Sequence, residues 1–534
     1  MVNRGQTLRL NALATLREFA GHGLQLMSRP NFKISGLGIK LRSMRFADPV
    51  LAQEMSKGKF SFAGSTVTVL PAKLFEIAPP TPKWAASLHS LNWLNHFVAS
   101  GQELHRIVAR QLVEKWGMPS NGRYSCNDQS NALMSLSFAA HFLLDSSTAF
   151  REPFFAIVER QIRRVSSLRP KDPSDRLLQV ISLQCASLAF RTPHTLRDDA
   201  NTRFCEAISQ VILPDGGHIS RNPQQLLETL LNIMPIRDAM LAHHQAVPQP
   251  LSAAIERMLP MLRMLSHGDH GLASFQGSGD TRTGVIKTIF ETDKVSGRPL
   301  LLAPHSGYCR LSHRAGLLIA DVGTPARCNG TLAFEFSEGW HRIFNNCGMP
   351  VTTSQAWQDA AAGLAAHNTL EVDGFSTGTL NQTRAEVINS PRGSLLKCQN
   401  HMVGKAGDVI HERCLFLSQT GRDLRGEDTL TTVEHGFTIR FHLHPTVKAT
   451  SIRKGSKVVL VLPNRVAWTF SAAGGAISLE ESIFLADESG PRKTMQIVIR
   501  SSPENTSPVK WALRRVEKSA AAGNEQEEAP QLPF

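Results

Sequence analysis

The feature that most constrains this chain is a change in the period of its apolar residues. From about Trp84 to Leu265 they recur every three to four positions, as Leu104, Ile107, Val108, Leu112 and Trp116 do, which puts them on one face of a helix. Beyond about residue 285 the runs are short and alternate with period two, in GLLIADVG, TLAFEFS, NTLEVDG, FTIRFHLHP, KVVLVLPN, RVAWTFS, AISLEES and MQIVIR. Successive side chains of a strand point to opposite faces, so Thr, Val, Ile and Phe alternating with polar residues predict sheets with one buried face. The chain therefore has a helical half followed by a β half.

Helices are expected near 84–99, 102–116, 128–145, 152–167, 173–190, 198–212, 223–242 and 250–266, with connections bearing Pro, Gly, Asp or Ser. Short links make successive helices hairpin pairs, which stack into a bundle or curve into a toroid. The strands predict a layered antiparallel sandwich. Segment 266–300, rich in Gly, Asp and Ser, is the expected linker, and the residues after about 516 have the composition of a disordered tail. At 534 residues the chain exceeds what one core usually supports. The expected partition is an N-terminal extension (1–80), a helical domain (81–285), a β domain (286–515) and the tail (516–534).

A formal charge of +13 points to an anionic partner, be it nucleic acid, a membrane surface or an acidic polysaccharide, or else to simple solvation of the surface. Two tyrosines, and no basic run interleaved with aromatics, supply bases poorly with stacking platforms, so no nucleic-acid partner is expected. No stretch approaches the ~18 apolar residues of a membrane span. The basic, mildly amphipathic N-terminus lacks the apolar core of a secretory signal. Eight cysteines without C-x-x-C spacing read as reduced, buried small hydrophobes.

Several polar residues stand out. Asp215, His218 and Arg221 precede Asn222 and Pro223, which have the character of an N-cap and first residue of a helix running through Leu226, Leu227, Leu230 and Leu231. A helix start favours anions, and Arg221 offers a planar fork for a carboxylate. The alternative is that Asp215-Gly216-Gly217 is a turn ending the previous helix, with His218 packed against it. His367, before the strand Asn368–Val372, either faces a ligand or is satisfied by backbone groups. His442 and His444 share one strand face, where a structural role is favoured over a catalytic one. Tyr308 and Arg310 sit at the domain junction, in position to face a cleft.

Six stretches, in order, carry a resemblance: ILPDGGHISRNP (212–223), SGYCRL (306–311), TLAFEFSEGWHRIFNNCG (331–348), AAHNTLEVDG (365–374), HERCLFLSQTGRDLRGEDTL (411–430) and IRFHLHP (439–445). In these the chain resembles the heparinase II/III family of polysaccharide lyases. The resemblance implies an α+β multidomain chain: an N-terminal incomplete α/α toroid, a C-terminal antiparallel β-sandwich, and a basic inter-domain cleft for an acidic, uronate-containing polysaccharide. It implies β-elimination, which needs a neutraliser for the uronate carboxylate, a base, and an acid for the leaving oxygen. It also implies a cell-envelope or periplasmic location, whereas the missing signal implies the cytoplasm.

On that pattern His218, His367 and Tyr308 are the catalytic candidates, and Asn127, Arg221, Gln225 and Arg310 the substrate-binding ones; no cofactor is expected. The chain departs from the family at several positions. Gln225 stands where the family usually carries Tyr, leaving Tyr308 as the nearby phenol to replace it. Asp128 stands where a His follows the family's Asn. Ala326 and Cys328 occupy an H-x-H pair, and Asn346 a metal-ligand Asp. His367 and Cys328 alone do not make a four-ligand zinc site, so no metal is expected. Two functions follow: a lyase, or a non-catalytic glycan-binding relative that has lost the proton-transfer groups.

Overall fold

The computed structural model describes residues 32–517 and Leu532, apart from 119–124, 146–148, 280, 282, 294–296, 351–353, 373–374, 377–382, 405–406, 432–435, 488–489 and 502–507. The N-terminus read as amphipathic (residues 1–31) and most of the tail after 516 lie outside the described residues.

The first half is helical: α1 (Pro49–Ser56), α2 (Pro82–His89), α3 (Leu94–Ser100), α4 (Glu103–Gly117), α5 (Cys126–Leu144), α6 (Arg151–Ser167), α7 (Pro173–Ala189), α8 (His194–Val211), α9 (Pro223–Ala242) and α10 (Gln249–Met264). α5 packs on α6 and α7, α7 on α8, α9 on α10, and α8 on α10. Local chemistry sets the starts. Asp172 caps α7 by accepting the Ser174 and Asp175 N–H groups, and Asn222 caps α9 through Gln224 and Gln225, each with Pro at the first turn. Such caps contribute about 1 kcal/mol each. Ser125 and Asp128 form a reciprocal capping box on α5, so Asp128 serves the helix start.

Residues 32–80, expected as an extension, contribute Phe32, Ile34, Leu41, Met55, Phe60 and Leu74 to the helical core. They include α1 and a hairpin of β1 (Lys59–Phe62) with β2 (Ser65–Thr68).

The second half is antiparallel throughout. A meander of β3 (Leu302–Ala303), β4 (Tyr308–His313), β5 (Gly316–Asp321), β6 (Phe334–Glu338) and β7 (His341–Phe344) forms a five-stranded sheet. A second sheet has the order β18-β19-β14-β8, from β8 (Leu370–Val372), β14 (Phe437–His442), β18 (Ala476–Phe484) and β19 (Arg492–Ser501). A bridge between Phe344 and Leu443 joins these two. The largest sheet runs β10-β11-β12-β13-β20-β17-β16-β15, with β9 (Phe375–Ser376) on β11. Its strands are β10 (Thr383–Ser390), β11 (Gly393–Gly404), β12 (Gly407–Ser418), β13 (Asp423–Leu430), β15 (Lys448–Ile452), β16 (Lys457–Val461), β17 (Ala467–Ala473) and β20 (Val509–Arg515). Aromatics from all three sheets meet at the centre: Phe334 stacks on Trp511 at 5.5 Å, and Phe441 lies edge-on to Trp511 at 4.9 Å and to Phe470 at 5.0 Å. Burying each such ring stabilises the fold by roughly 1.5–3 kcal/mol.

The five-stranded sheet departs from the one-buried-face expectation. Tyr308, Leu317 and Ile319 join the helical core, while Cys309, Leu311, Leu318 and Ala320 join the β core. All of β5 is buried for that reason.

The expected linker is also more structured than its composition suggests. Residues 272–276 and 278 are buried, and 283–292 form α11 (Thr283–Thr292). The polar groups here are matched to partners across the junction. His267 Nε2 meets Glu335 Oε2 at 2.9 Å and its Nδ1 meets Ser337 Oγ at 2.9 Å. The Gln276 amide donates to Asp321 at 2.7 Å and accepts the Ala326, Arg327 and Cys328 N–H groups. Buried polar groups need such partners, and composition alone does not reveal them.

Candidate functional site

A cleft of about 680 Å³ opens where the helical half meets the β5–β6 loop. Helix α9 gives it a polar stripe, Gln225, Glu228, Thr229 and Asn232, at the i, i+3, i+4, i+7 spacing of one helix face. The start of α5 adds Asn127 and Asn131, and the capped start of α7 adds Asp172, Ser174 and Asp175. His218 and Ser220 come from the turn before α9, Arg45 from the N-terminal segment, and Ala326 and Arg327 from the β domain. The structure thus brings together three of the expected residues, Asn127, His218 and Gln225.

The electrostatics differ from a basic cleft. Three carboxylates (Asp172, Asp175, Glu228) face two guanidinium groups (Arg45, Arg327). Arg45 is already engaged, with Glu228 at 2.7 Å and the Asn232 amide oxygen at 2.8 Å. The Asn127 amide donates to Asp175 at 2.9 Å, and its buried oxygen has no hydrogen-bond partner. His218 is buried; its Nδ1 accepts the Ser220 N–H at 3.1 Å and meets the Ser220 hydroxyl at 2.7 Å. A ring nitrogen that accepts an N–H leaves the proton of the neutral ring on the other nitrogen, Nε2. Burial pushes this imidazole down to about 4 against a weaker opposing pull from Asp172, so it is neutral near pH 7.

None of the other four expected residues lines this cleft. Arg221, expected to pair with a substrate carboxylate, pairs instead with buried Asp321 at the end of β5. It also donates to the Ser306 carbonyl at 2.7 Å, to Gly307 at 3.2 Å and to Thr324. Its left-handed backbone (φ 57°) turns the side chain into the β domain. Asp215 holds the same junction: one carboxylate oxygen accepts the His305 N–H at 2.8 Å and the Ser306 N–H at 2.7 Å. Tyr308, expected as a replacement acid or base, is buried, with its hydroxyl donating to the Arg221 carbonyl. Burial, helped by nearby Asp321, raises its phenol well above the ordinary value. Arg310 caps the end of α10, donating to the Arg263, Met264 and Ser266 carbonyls at 2.8–3.0 Å. His367 is buried against Gly330 with Nδ1 on the Gly363 carbonyl at 2.8 Å, the backbone-satisfied alternative. His442 is held likewise, between Ser482 Oγ at 2.7 Å and the Ala365 carbonyl at 2.9 Å.

The sequence reading missed Arg45, Asp172, Asp175, Glu228, Asn232 and Arg327. For α9 the signal was present: a polar stripe on an otherwise apolar helix that neighbouring elements cover. Among the described residues, no group of three or more His, Cys, Asp or Glu is placed to hold a metal ion, and no helix is long and apolar enough to cross a membrane. Asn346, at the position of a metal-ligand Asp, donates to Glu335 and accepts the Asn368 N–H at 2.8 Å.

Comparison with known proteins agrees with this architecture. Residues 295–512 match the family model described as Heparinase II/III-like, C-terminal. FtsZ-localized protein C of Caulobacter vibrioides (strain NA1000 / CB15N) is 26% identical over 552 residues, spanning 94% of each chain. A crystal structure of heparinase III superposes with a TM-score of 0.72 at 12% identity, covering 92% of this chain and 88% of that one. A mutant of the heparan sulfate lyase HepC from Pedobacter heparinus gives 0.62 at 13% identity, with 88% and 83% covered. At such identities the structures speak for the fold, a helical toroid followed by an antiparallel β-sandwich. Residues 295–512 form a heparinase II/III-like C-terminal domain.

Proposed function

We propose that this chain is a binding member of the heparinase II/III family, one that holds a saccharide in the cleft without cleaving it by β-elimination. The observation that carries this reading is the Asn127–Asp175 hydrogen bond. That bond takes one of the amide's two N–H donors and sets it beside a fixed carboxylate that repels a uronate, which weakens it as a neutraliser. The proton-transfer groups are also weak. Gln225 has no titratable proton, and His218 is a neutral imidazole whose Nδ1 is occupied. Tyr308 is bonded inside the protein, and the other tyrosine, Tyr124, lies outside the described residues. Purified protein incubated with heparan sulfate and alginate is expected to give no rise in the absorbance of unsaturated product. A steady rise above the blank would sink the reading.

A second reading concerns partners. Similarity to an FtsZ-localized protein, 26% identical across 94% of both chains, supports a role in assembling with FtsZ, compatible with a cleft that binds and does not react. Co-sedimentation with purified FtsZ assemblies tests it. The chain is expected in the pellet, and its recovery in the supernatant at every ratio would refute the association.

A further inference from the structure

Beside the cleft lies a second space of about 380 Å³ with a different lining: Phe46, Phe62 and Trp93 supply ring surface, and Asn92, Asn95 and Gln224 supply amides. Arg45 and Glu228 border both spaces, and their 2.7 Å ion pair stands between them. The Arg45 side chain is 19% exposed and that of Glu228 38%, so the partition is a wetted pair of long side chains and not packed core. Exposed pairs of this kind are worth about 1 kcal/mol or less, to which the Arg45 bond to the Asn232 amide oxygen at 2.8 Å adds. The spaces also differ in chemistry. The cleft offers carboxylate and amide oxygens, acceptors for hydroxyl and amide N–H groups, with the buried Asn127 oxygen still unpartnered. The neighbouring space offers aromatic faces, on which the C–H face of a pyranose ring buries apolar area. Once Arg45 and Glu228 are counted as a pair, a ligand rich in carboxylates or sulfates would bring its charge against Asp172 and Asp175, with Arg327 to offset one of them.

We infer that the two spaces are consecutive subsites of one groove for an uncharged oligosaccharide, with hydroxyl- and amide-bearing units in the polar cleft and a further unit against Phe46 and Phe62. This rests on the reading that the cleft binds a saccharide, and it names the class and length of that saccharide. The chain passes the Arg45–Glu228 pair, so affinity depends on length.

Calorimetric titration with N-acetylglucosamine oligomers of two and six units, and with alginate oligomers of matched length, tests it. The longer uncharged oligomer is expected to bind roughly tenfold more tightly than the shorter, equivalent to about 1.4 kcal/mol. Phe46→Ala, at a ring 48% exposed, is expected to remove most of that gain. Equal affinities for the two lengths, or a Phe46→Ala variant that keeps the gain, would overturn the two-subsite groove but leave saccharide binding standing. Tighter binding of the alginate oligomers would overturn the ligand class. Absence of binding by every saccharide would remove the underlying reading along with the inference.

Discussion

Arg221→Ala is expected to destabilise the folded protein by roughly 3–5 kcal/mol, the range for breaking a buried ion pair from one side. The guanidinium enters the end of β5, where Asp321 is 1% exposed, and it carries the Ser306, Gly307 and Thr324 carbonyls as well. Its removal leaves Asp321 buried with the Gln276 amide at 2.7 Å and the Gly323 N–H at 3.2 Å. It also leaves the Tyr308 ring without the cation 5.2 Å above it. Chemical denaturation reads the loss as a lower midpoint. Saccharide affinity of the folded fraction should be unaltered, since the side chain does not line the cleft. A variant with normal stability and weakened binding would restore Arg221 as a ligand residue.

Acidification is expected to cost several kcal/mol of stability between pH ~6.5 and ~4. Burial pushes His218 and His444 down to about 4 and His442 to about 3, from an ordinary value of 6.5. The folded state keeps these rings neutral, while the unfolded chain takes up protons as the pH falls through 6.5. The unfolded state then binds more protons, so the stability present above that pH is lost progressively below it. Within the window each ring contributes a loss of about 1.4 kcal/mol for every tenfold rise in proton concentration. Equilibrium urea denaturation at successive pH values should show the midpoint dropping through this window, before most carboxylates titrate. His442→Gln should flatten the slope, since the substituted side chain cannot take up a proton in either state. A midpoint constant from pH 7 to 4.5 would mean that the rings reach water.

The period of the apolar residues located the helices well, as at 102–116 against Glu103–Gly117 and 223–242 against Pro223–Ala242. Apolar spacing and caps are local properties, and here tertiary packing agreed with them. The early hairpin and α1 went unread because their apolar residues are few and are completed only by contact with the toroid. At the site, residue types were legible but directions were not. Asn222 and Pro223 were readable as a helix start, yet whether the preceding Arg221 faces ligand or β domain depends on Asp321, a hundred residues away. Gln225 and Asn127 were found through motif position, whereas Asp175 and Arg45 become neighbours of the cleft only through the folding of α7 and the N-terminal segment over α9. Of the motif residues that proved internal, Arg221 and Tyr308 mark the seam between the two halves, while His367 is held within the β half.

That seam gives the five-stranded sheet a double allegiance. Tyr308, Leu317 and Ile319 are finished by helices, while Leu318 and Ala320 on the same strands are finished by the sandwich. The stretch recognisable by descent, 295–512, begins just before this sheet, so excising it would strip one oily face of the meander and leave it to water. The stretch that matches a family model by itself is, mechanically, welded to its neighbour. The cleft draws its walls from both sides of that weld, α9 on one and the loop of Ala326 and Arg327 on the other, so its shape depends on how the two halves are joined.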